Sequence, residues 1–230
     1  MSTNELFDKA IKHHLNGNYN DALFLYKKII SLQPDFAEAY NNLGSIYYEF
    51  NDKQKALQSY LKAIEINDNY SEAHNNIGGI LVELGNYRKA ILHCQKAITL
   101  QPLFAKAFCN LGWAYDELGE FQNAIKHYNK SLQLDSKLIG AYNNLGSLYK
   151  DLGKYNESIR FYKKALRLDN NYYRVRKNLG LVLLLLQKFN KGFEEFEWRI
   201  KDKTKKEYQN LQLKGSLWKG ENLEGKVILI

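Results

Sequence analysis

Five asparagines, Asn42, Asn76, Asn110, Asn144 and Asn178, recur at a fixed spacing of 34 residues. A carboxamide offers both a donor and an acceptor, so a row of them could hold the backbone of an extended peptide whatever its side chains. The same groups could instead bond one helix to the next, and the spacing leaves both uses open. Carboxylates recur at the same interval as Glu49, Glu83, Glu117 and Asp151. Lying one repeat apart near helix ends, they read as a solvated face rather than as an acid–base pair. Trp113 falls on the same stripe, and a tryptophan at a solvent-facing position is a candidate anchor for a partner. Basic character enters the stripe only toward Arg174, beside Arg176 and Lys177. No catalytic chemistry emerges from the remaining reactive types. His13 and His14 are adjacent and point apart on a helix, and His74, His93 and His127 occupy repeat positions that packing or surface exposure explains. Cys94 belongs to an apolar stripe, and Cys109 has no in-phase histidine to activate it. Neither paired metal-ligand spacing nor a phosphate-cradling GxxxxGK[ST] run is present. These 230 residues therefore predict no catalytic, cofactor or metal site, and no cofactor.

The elements that position the asparagines follow from the same spacing. AYNNLGS occurs at Ala39 to Ser45 and again at Ala141 to Ser147, with AHNNIGG from Ala73 and AFCNLGW from Ala107 between them. A fixed period of this size marks a repeat array. Its frame gives six units, residues 3–36, 37–70, 71–104, 105–138, 139–172 and 173–206, the last atypical, with residues 207–230 left over. Tyr40, Leu43, Gly44 and Tyr47 share one helical face, and Ala56, Leu57, Tyr60, Ala63 and Ile64 form the stripe of a second helix. Between the two lies Gly17, Asn51, Gly85, Gly119 or Gly153, types that tolerate the left-handed backbone at a helix C-terminus. Only Gln187 departs. Small residues fill one column in each helix, Ala10, Gly44, Gly78, Gly112, Gly146 and Gly180 in the first and Ala22, Ala56, Ala90, Ala124, Ser158 and Gly192 in the second. Glycine costs a helix about 1 kcal/mol relative to alanine, and close approach of the paired helix is the compensating reason.

On a helical wheel Asn42 projects almost opposite the core, so the second asparagine of each pair is expected on an inner, concave wall lined by the first helices. The rest of that stripe includes Glu38, Ser45, Glu72, Gly79 and Lys106, acidic in its N-terminal half. The net charge of +8 therefore does not describe the groove. Nucleic-acid binding, which needs a continuous basic track, is disfavoured. The longest apolar run, Leu181 to Leu186, is far short of the roughly 20 residues a bilayer requires, so no membrane partner is expected. Without a secretory apolar core near the N-terminus, and with only two cysteines, the chain reads as cytoplasmic.

The pattern resembles the tetratricopeptide repeat, most fully in the fifth unit, where Tyr142, Leu145, Gly146, Tyr149 and Tyr162 fall in phase and Ser158 takes the alanine position. The resemblance implies an all-α fold, a right-handed superhelical solenoid of six helix-turn-helix units, acting as a protein–protein interaction scaffold that binds a partner protein or extended peptide in its groove. The asparagine ladder is similar to that of the O-linked N-acetylglucosamine transferases. The repeat's known clamp for a C-terminal carboxylate is not expected, since Cys109 and Trp113 stand where its lysine and asparagine belong. Residues 207–230, with Trp218, Gly220, Leu223, Gly225 and Lys226 before an expected strand at Val227 to Ile230, resemble the junction of bacterial proteins that fuse such an array to a glycosyltransferase-like domain. That implies an alternative function, the substrate-recognition arm of an enzyme whose catalytic domain lies beyond residue 230. A cap over the last helix is the other reading of this extension.

Overall fold

In the computed structural model, residues 2–198 are described. They form twelve helices and no strand, the all-α repeat array that the periodicity predicts. The helices pair as α1 (Thr3–Leu15) with α2 (Tyr19–Leu32), α3 (Ala37–Glu49) with α4 (Lys53–Ile66), and α5 (Ser71–Glu83) with α6 (Tyr87–Leu100). The series continues with α7 (Ala105–Glu117) and α8 (Phe121–Leu134), α9 (Ile139–Asp151) and α10 (Tyr155–Leu168), and α11 (Tyr173–Leu185) and α12 (Phe189–Phe196). The described residues divide into two compact units, residues 2–136 and 137–198. The expected strand at Val227 to Ile230 and the whole 207–230 extension lie outside the described residues.

The turn inside each pair is set by backbone geometry. After α3 the Asn51 N–H bonds to the Tyr48 carbonyl at 2.8 Å and the Asp52 N–H to the Tyr47 carbonyl at 2.9 Å, the double bond that closes a helix through a left-handed residue. Asn51 adopts it with φ 59°. Gln187, the residue that departs in type, adopts the same conformation with φ 57°, and Lys188 and Gln187 make the equivalent bonds to Leu183 and Leu184 at 2.9 Å each. The surrounding repeat imposes the turn on a residue that does not favour it.

In the first unit, Leu6, Ala10, Tyr26, Ile29, Leu43 and Ile46 pack in one core cluster, and Tyr60, Ile77, Ile80, Ala90 and Ala114 in another. The small column is explained by the tyrosine opposite it. A Cβ on Gly44 would lie 2.7 Å from the Tyr60 ring, and one on Gly112 would lie 2.8 Å from the Tyr128 ring, closer than van der Waals contact allows. The buried phenol then needs a polar partner. Tyr60 has the Ser45 hydroxyl at 3.2 Å. Tyr26 is fully buried; the sequence has Ile11 at the position that Ser45 holds for Tyr60, and the Tyr26 hydroxyl is without a hydrogen bond. Burial pushes the Tyr26 phenol up to about 12, although the nearby Asn42 amide acts in the opposite direction.

The second unit repeats this design around Tyr162, Ala165, Val175, Leu179 and Val182. Tyr162 meets the Ser147 hydroxyl at 3.1 Å, and Ser158 donates to the Gly146 carbonyl at 2.6 Å. Arg176 ties α11 to α12 through Glu195 at 2.7 Å.

Candidate peptide-binding face

Helices α3, α5 and α9 carry adjacent asparagine pairs, whereas α7 and α11 carry a single asparagine, Asn110 and Asn178, and the structure gives the two members of a pair different jobs. Asn41 and Asn75 are buried, 6% and 5% exposed, while Asn42, Asn76 and Asn110 are half-buried. Asn76 donates from Nδ2 to Asn41 Oδ1 at 3.0 Å, and Asn110 donates to Asn75 Oδ1 at 2.9 Å and to the Asn75 carbonyl at 3.3 Å. Within each pair the first asparagine donates to the second, Asn41 to Asn42 and Asn75 to Asn76, at 3.4 Å. The second unit shows the same link, Asn178 to Asn143 Oδ1 at 3.0 Å and Asn143 to Asn144 Oδ1 at 3.4 Å. The helical wheel did not reveal these links: Asn76, Asn110 and Asn178 each reach back to an asparagine one repeat earlier.

Donor and acceptor counts show what remains for a ligand. A carboxamide has two N–H groups and two lone-pair sites. Asn76 spends one of each within the protein. Asn110 spends only its donor side, because Cys109 stands where a donating asparagine would be. Its Oδ1 therefore accepts no hydrogen bond among the described residues. Gly79 makes room for this arrangement: a Cβ there would lie 3.2 Å from Asn110 Nδ2.

Trp113 lies one helical turn beyond Asn110. It is half-buried rather than freely solvent-facing, packed beside the Ile77 and Ala114 cluster, and its indole N–H donates to Glu117 at 3.1 Å. Glu117 also accepts from the Tyr87 hydroxyl at 3.4 Å. Glu83 is neutralised by Lys53 at 2.7 Å and accepts a bond from Tyr48, whereas Glu49 is exposed at the end of α3. In the second unit Asp151 pairs with Lys150 at 3.0 Å. Arg174 is exposed, with its Nε donating to the Tyr173 hydroxyl at 3.0 Å.

Sequence reasoning missed the partners Asn41, Asn75 and Asn143; the doubled asparagine itself was the available signal. It also missed a histidine couple. His74 and His93 face each other Nδ1 to Nδ1 at 3.0 Å, and His74 Nε2 lies 3.0 Å from the Asp68 carbonyl. A carbonyl only accepts, so the neutral His74 carries its proton on Nε2 and receives one from His93 Nδ1. Burial, with His74 adding to it, holds the His93 pKa below the usual histidine value. Asp68 and His93 sit at opposite ring nitrogens of His74, which is not a ligand arrangement around one ion. Among the described residues no group of three His, Cys, Asp or Glu side chains could hold a metal. Burial pushes the thiols of Cys94 and Cys109 up to about 12, which keeps them protonated and poorly nucleophilic.

Successive helix pairs packed on one another within each compact unit, with polar side chains projecting from the first helix of each pair, define a repeat-array scaffold of the kind that binds other proteins. Residues 37–70, 71–103 and 105–138 match the tetratricopeptide repeat, as do residues 139–172, and residues 12–50 match a TPR repeat. The chain belongs to the tetratricopeptide repeat family. No curated protein matches it. Among solved structures it is similar to MamA, at 28% identity over 70% of this chain and 94% of that one, with a TM-score of 0.57. PilW, described as a widely conserved type IV pilus biogenesis factor, shares 19% identity over 90% of this chain and 96% of its own, with a TM-score of 0.74. The APC/C hetero-tetramer Cut9-Hcn1 gives 18% identity over 90% of this chain and 42% of that one, with a TM-score of 0.80. The last two likenesses show the fold alone. No helix among the described residues is long and apolar enough to cross a membrane.

Proposed function

We propose that the chain is a protein–protein interaction scaffold that holds an extended segment of a partner along its first-helix face. In the first unit Asn42, Asn76 and Asn110 contact the segment's backbone and Trp113 anchors one of its side chains. In the second unit Asn144, Asn178 and Arg174 continue the same chemistry. The observation that carries this reading is Asn110 Oδ1, a half-buried acceptor left unused one turn from Trp113. An extended backbone presents N–H groups that an unused carboxamide oxygen can accept, and an aromatic side chain beside it supplies contact area. Exposed Glu49 and Glu117 give the face of the first unit an acidic border, and Asp151, paired with Lys150, lies on the corresponding helix of the second.

The test is selection of extended peptides from a display library on the whole chain, followed by calorimetric affinities for variants. Trp113→Ala should weaken a selected peptide by about 2 kcal/mol, as expected of an anchor. Asn110→Ala should cost about 0.5 to 1.5 kcal/mol, the net worth of a hydrogen bond. Selected peptides that bind both variants as tightly as the parent would overturn the proposal. The alternative of a recognition arm for a glycosyltransferase rests on residues 207–230, outside the described residues, and nothing in the described residues favours it.

A further inference from the structure

We infer a second docking surface, separate from the first-helix face: the outer side of α10, which fits an acidic segment of a partner protein. The charge of the chain is unevenly distributed. Residues 1–136 carry 13 Lys and Arg against 15 Asp and Glu, whereas residues 137–198 carry 12 against 6. The basic excess therefore begins with the second unit, and α10 concentrates it. Arg160, Lys163, Lys164 and Arg167 stand at i, i+3, i+4 and i+7, so they share one face, and all four are exposed. The helix buries Ser158, Phe161, Tyr162 and Ala165 on the opposite side.

Two features distinguish this strip from an ordinary solvated face. First, none of its four cations makes an ion pair among the described residues. Elsewhere among the described residues, exposed cations without an ion pair, Lys27 and Lys28 on α2, Arg88 and Lys89 on α6, and Lys126 and Lys130 on α8, come two to a helix rather than four on one face. Second, part of the strip is held in place. The Arg160 guanidinium lies 5.4 Å from the Phe161 ring centre, and the Lys164 ammonium lies 5.5 Å from Phe161 and 5.8 Å from Tyr142. Such contacts fix long side chains that would otherwise lose rotamer freedom on binding. The helix dipole accounts for Arg167 in the last turn but not for Arg160, because the dipole's influence fades within one turn of the end.

The strip spans about 10 Å of helix, at 1.5 Å per residue. A partner helix with carboxylates at the same i, i+3, i+4, i+7 spacing matches it in length and charge. The other polyanions fit less well. Phe161 and Tyr162 are buried, so no aromatic face is offered for the base stacking that single-stranded nucleic acids use. Asn156 and Glu157 extend the strip with polar rather than apolar residues, and an anionic membrane surface is bound by helices with an apolar side to insert.

The experiment measures binding of the whole chain to a short helical peptide with glutamates at that spacing, at low and high salt. Its glutamine counterpart, a single-stranded oligonucleotide and phosphatidylserine vesicles serve as comparisons. The glutamate peptide should bind, weaken with salt, and lose affinity at least about tenfold in R160Q/K163Q/K164Q/R167Q, four exposed pairs each contributing a fraction of that loss. Glutamine keeps the helix propensity, and a circular dichroism spectrum equal to the parent's shows that the variant folds. K126Q/K130Q, on α8, and W113A should retain parental affinity for this peptide, which separates this surface from the first-helix face. Absence of salt-dependent binding, parental affinity in the fourfold variant, or tighter strip-dependent binding of the oligonucleotide or vesicles would each overturn the inference.

Discussion

Replacing Asn76 with alanine tests what the asparagine pairs do for the fold. Asn76→Ala removes the donor that reaches Asn41 Oδ1 at 3.0 Å. Asn41 is only 6% exposed, so water has little access to replace the bond, and leaving a buried acceptor unsatisfied costs about 1 to 3 kcal/mol. Alanine's better helix propensity returns about 0.5 kcal/mol. The net expectation is a loss of about 0.5 to 2.5 kcal/mol from these two opposing effects. Asn41→Ala/Asn76→Ala removes both partners, so its cost should fall below the sum of the single losses, with a coupling of about 0.5 to 2 kcal/mol. Asn42→Ala is the control: its Oδ1 receives one 3.4 Å bond from its own neighbour and its amide lies near the Tyr26 phenol, so it strands no buried carboxamide oxygen and its loss should be smaller than that of Asn76→Ala. Urea unfolding followed by far-UV circular dichroism measures the parent, the single variants Asn41→Ala, Asn42→Ala and Asn76→Ala, and the double variant. A midpoint for Asn76→Ala at or above the parent's would refute the reasoning and leave the link between first helices without energetic weight.

Other perturbations follow from the packing. Gly112→Leu places a side chain where even a Cβ would lie 2.8 Å from the Tyr128 ring, and thermal melting should show a loss of at least the 1 to 3 kcal/mol typical of overpacking, about 2 kcal/mol as a working figure. Tyr26→Phe removes a buried hydroxyl without a hydrogen bond and should be neutral or stabilising, whereas Tyr60→Phe loses the Ser45 bond and should cost about 1 kcal/mol; a larger loss at Tyr26 would contradict the assignment. Gln187→Gly relieves a left-handed residue and should raise stability by about 0.5 to 1 kcal/mol in the same melts, the strain relieved exceeding glycine's entropic cost. The histidines set a pH dependence. Burial is the largest cause holding His14, His93 and His127 below their ordinary value of 6.5. The unfolded chain therefore binds more protons as pH falls from about 7 toward 5, and stability present above that range is lost through it. Melting temperatures should fall across this window in the parent and less in His93→Phe/His127→Phe; equal slopes would assign the dependence to other groups.

The sequence by itself determined the repeat. Helical periodicity and the 34-residue spacing are local and additive, so the phase of Leu43, Gly44 and Tyr47 placed the core, and the glycine column announced a close helix crossing. It also set Asn42 and its counterparts apart from the core stripe, where the structure has them half-buried, because a helical wheel needs nothing beyond the chain. The wheel could not say what stands opposite a side chain on the next helix. Hydrogen-bond partners depend on distances between elements, and only tertiary structure brought Asn76 to Asn41, His74 to His93, and Trp113 down onto the Ile77 cluster. Gln187 shows the same division: residue type argued against a left-handed turn, and the fixed geometry of the paired helices required one. Whether Asn110 keeps an unused oxygen was likewise undecidable from its own type and phase, because that oxygen is left over only when Cys109, Asn75 and Gly79 are considered together in space.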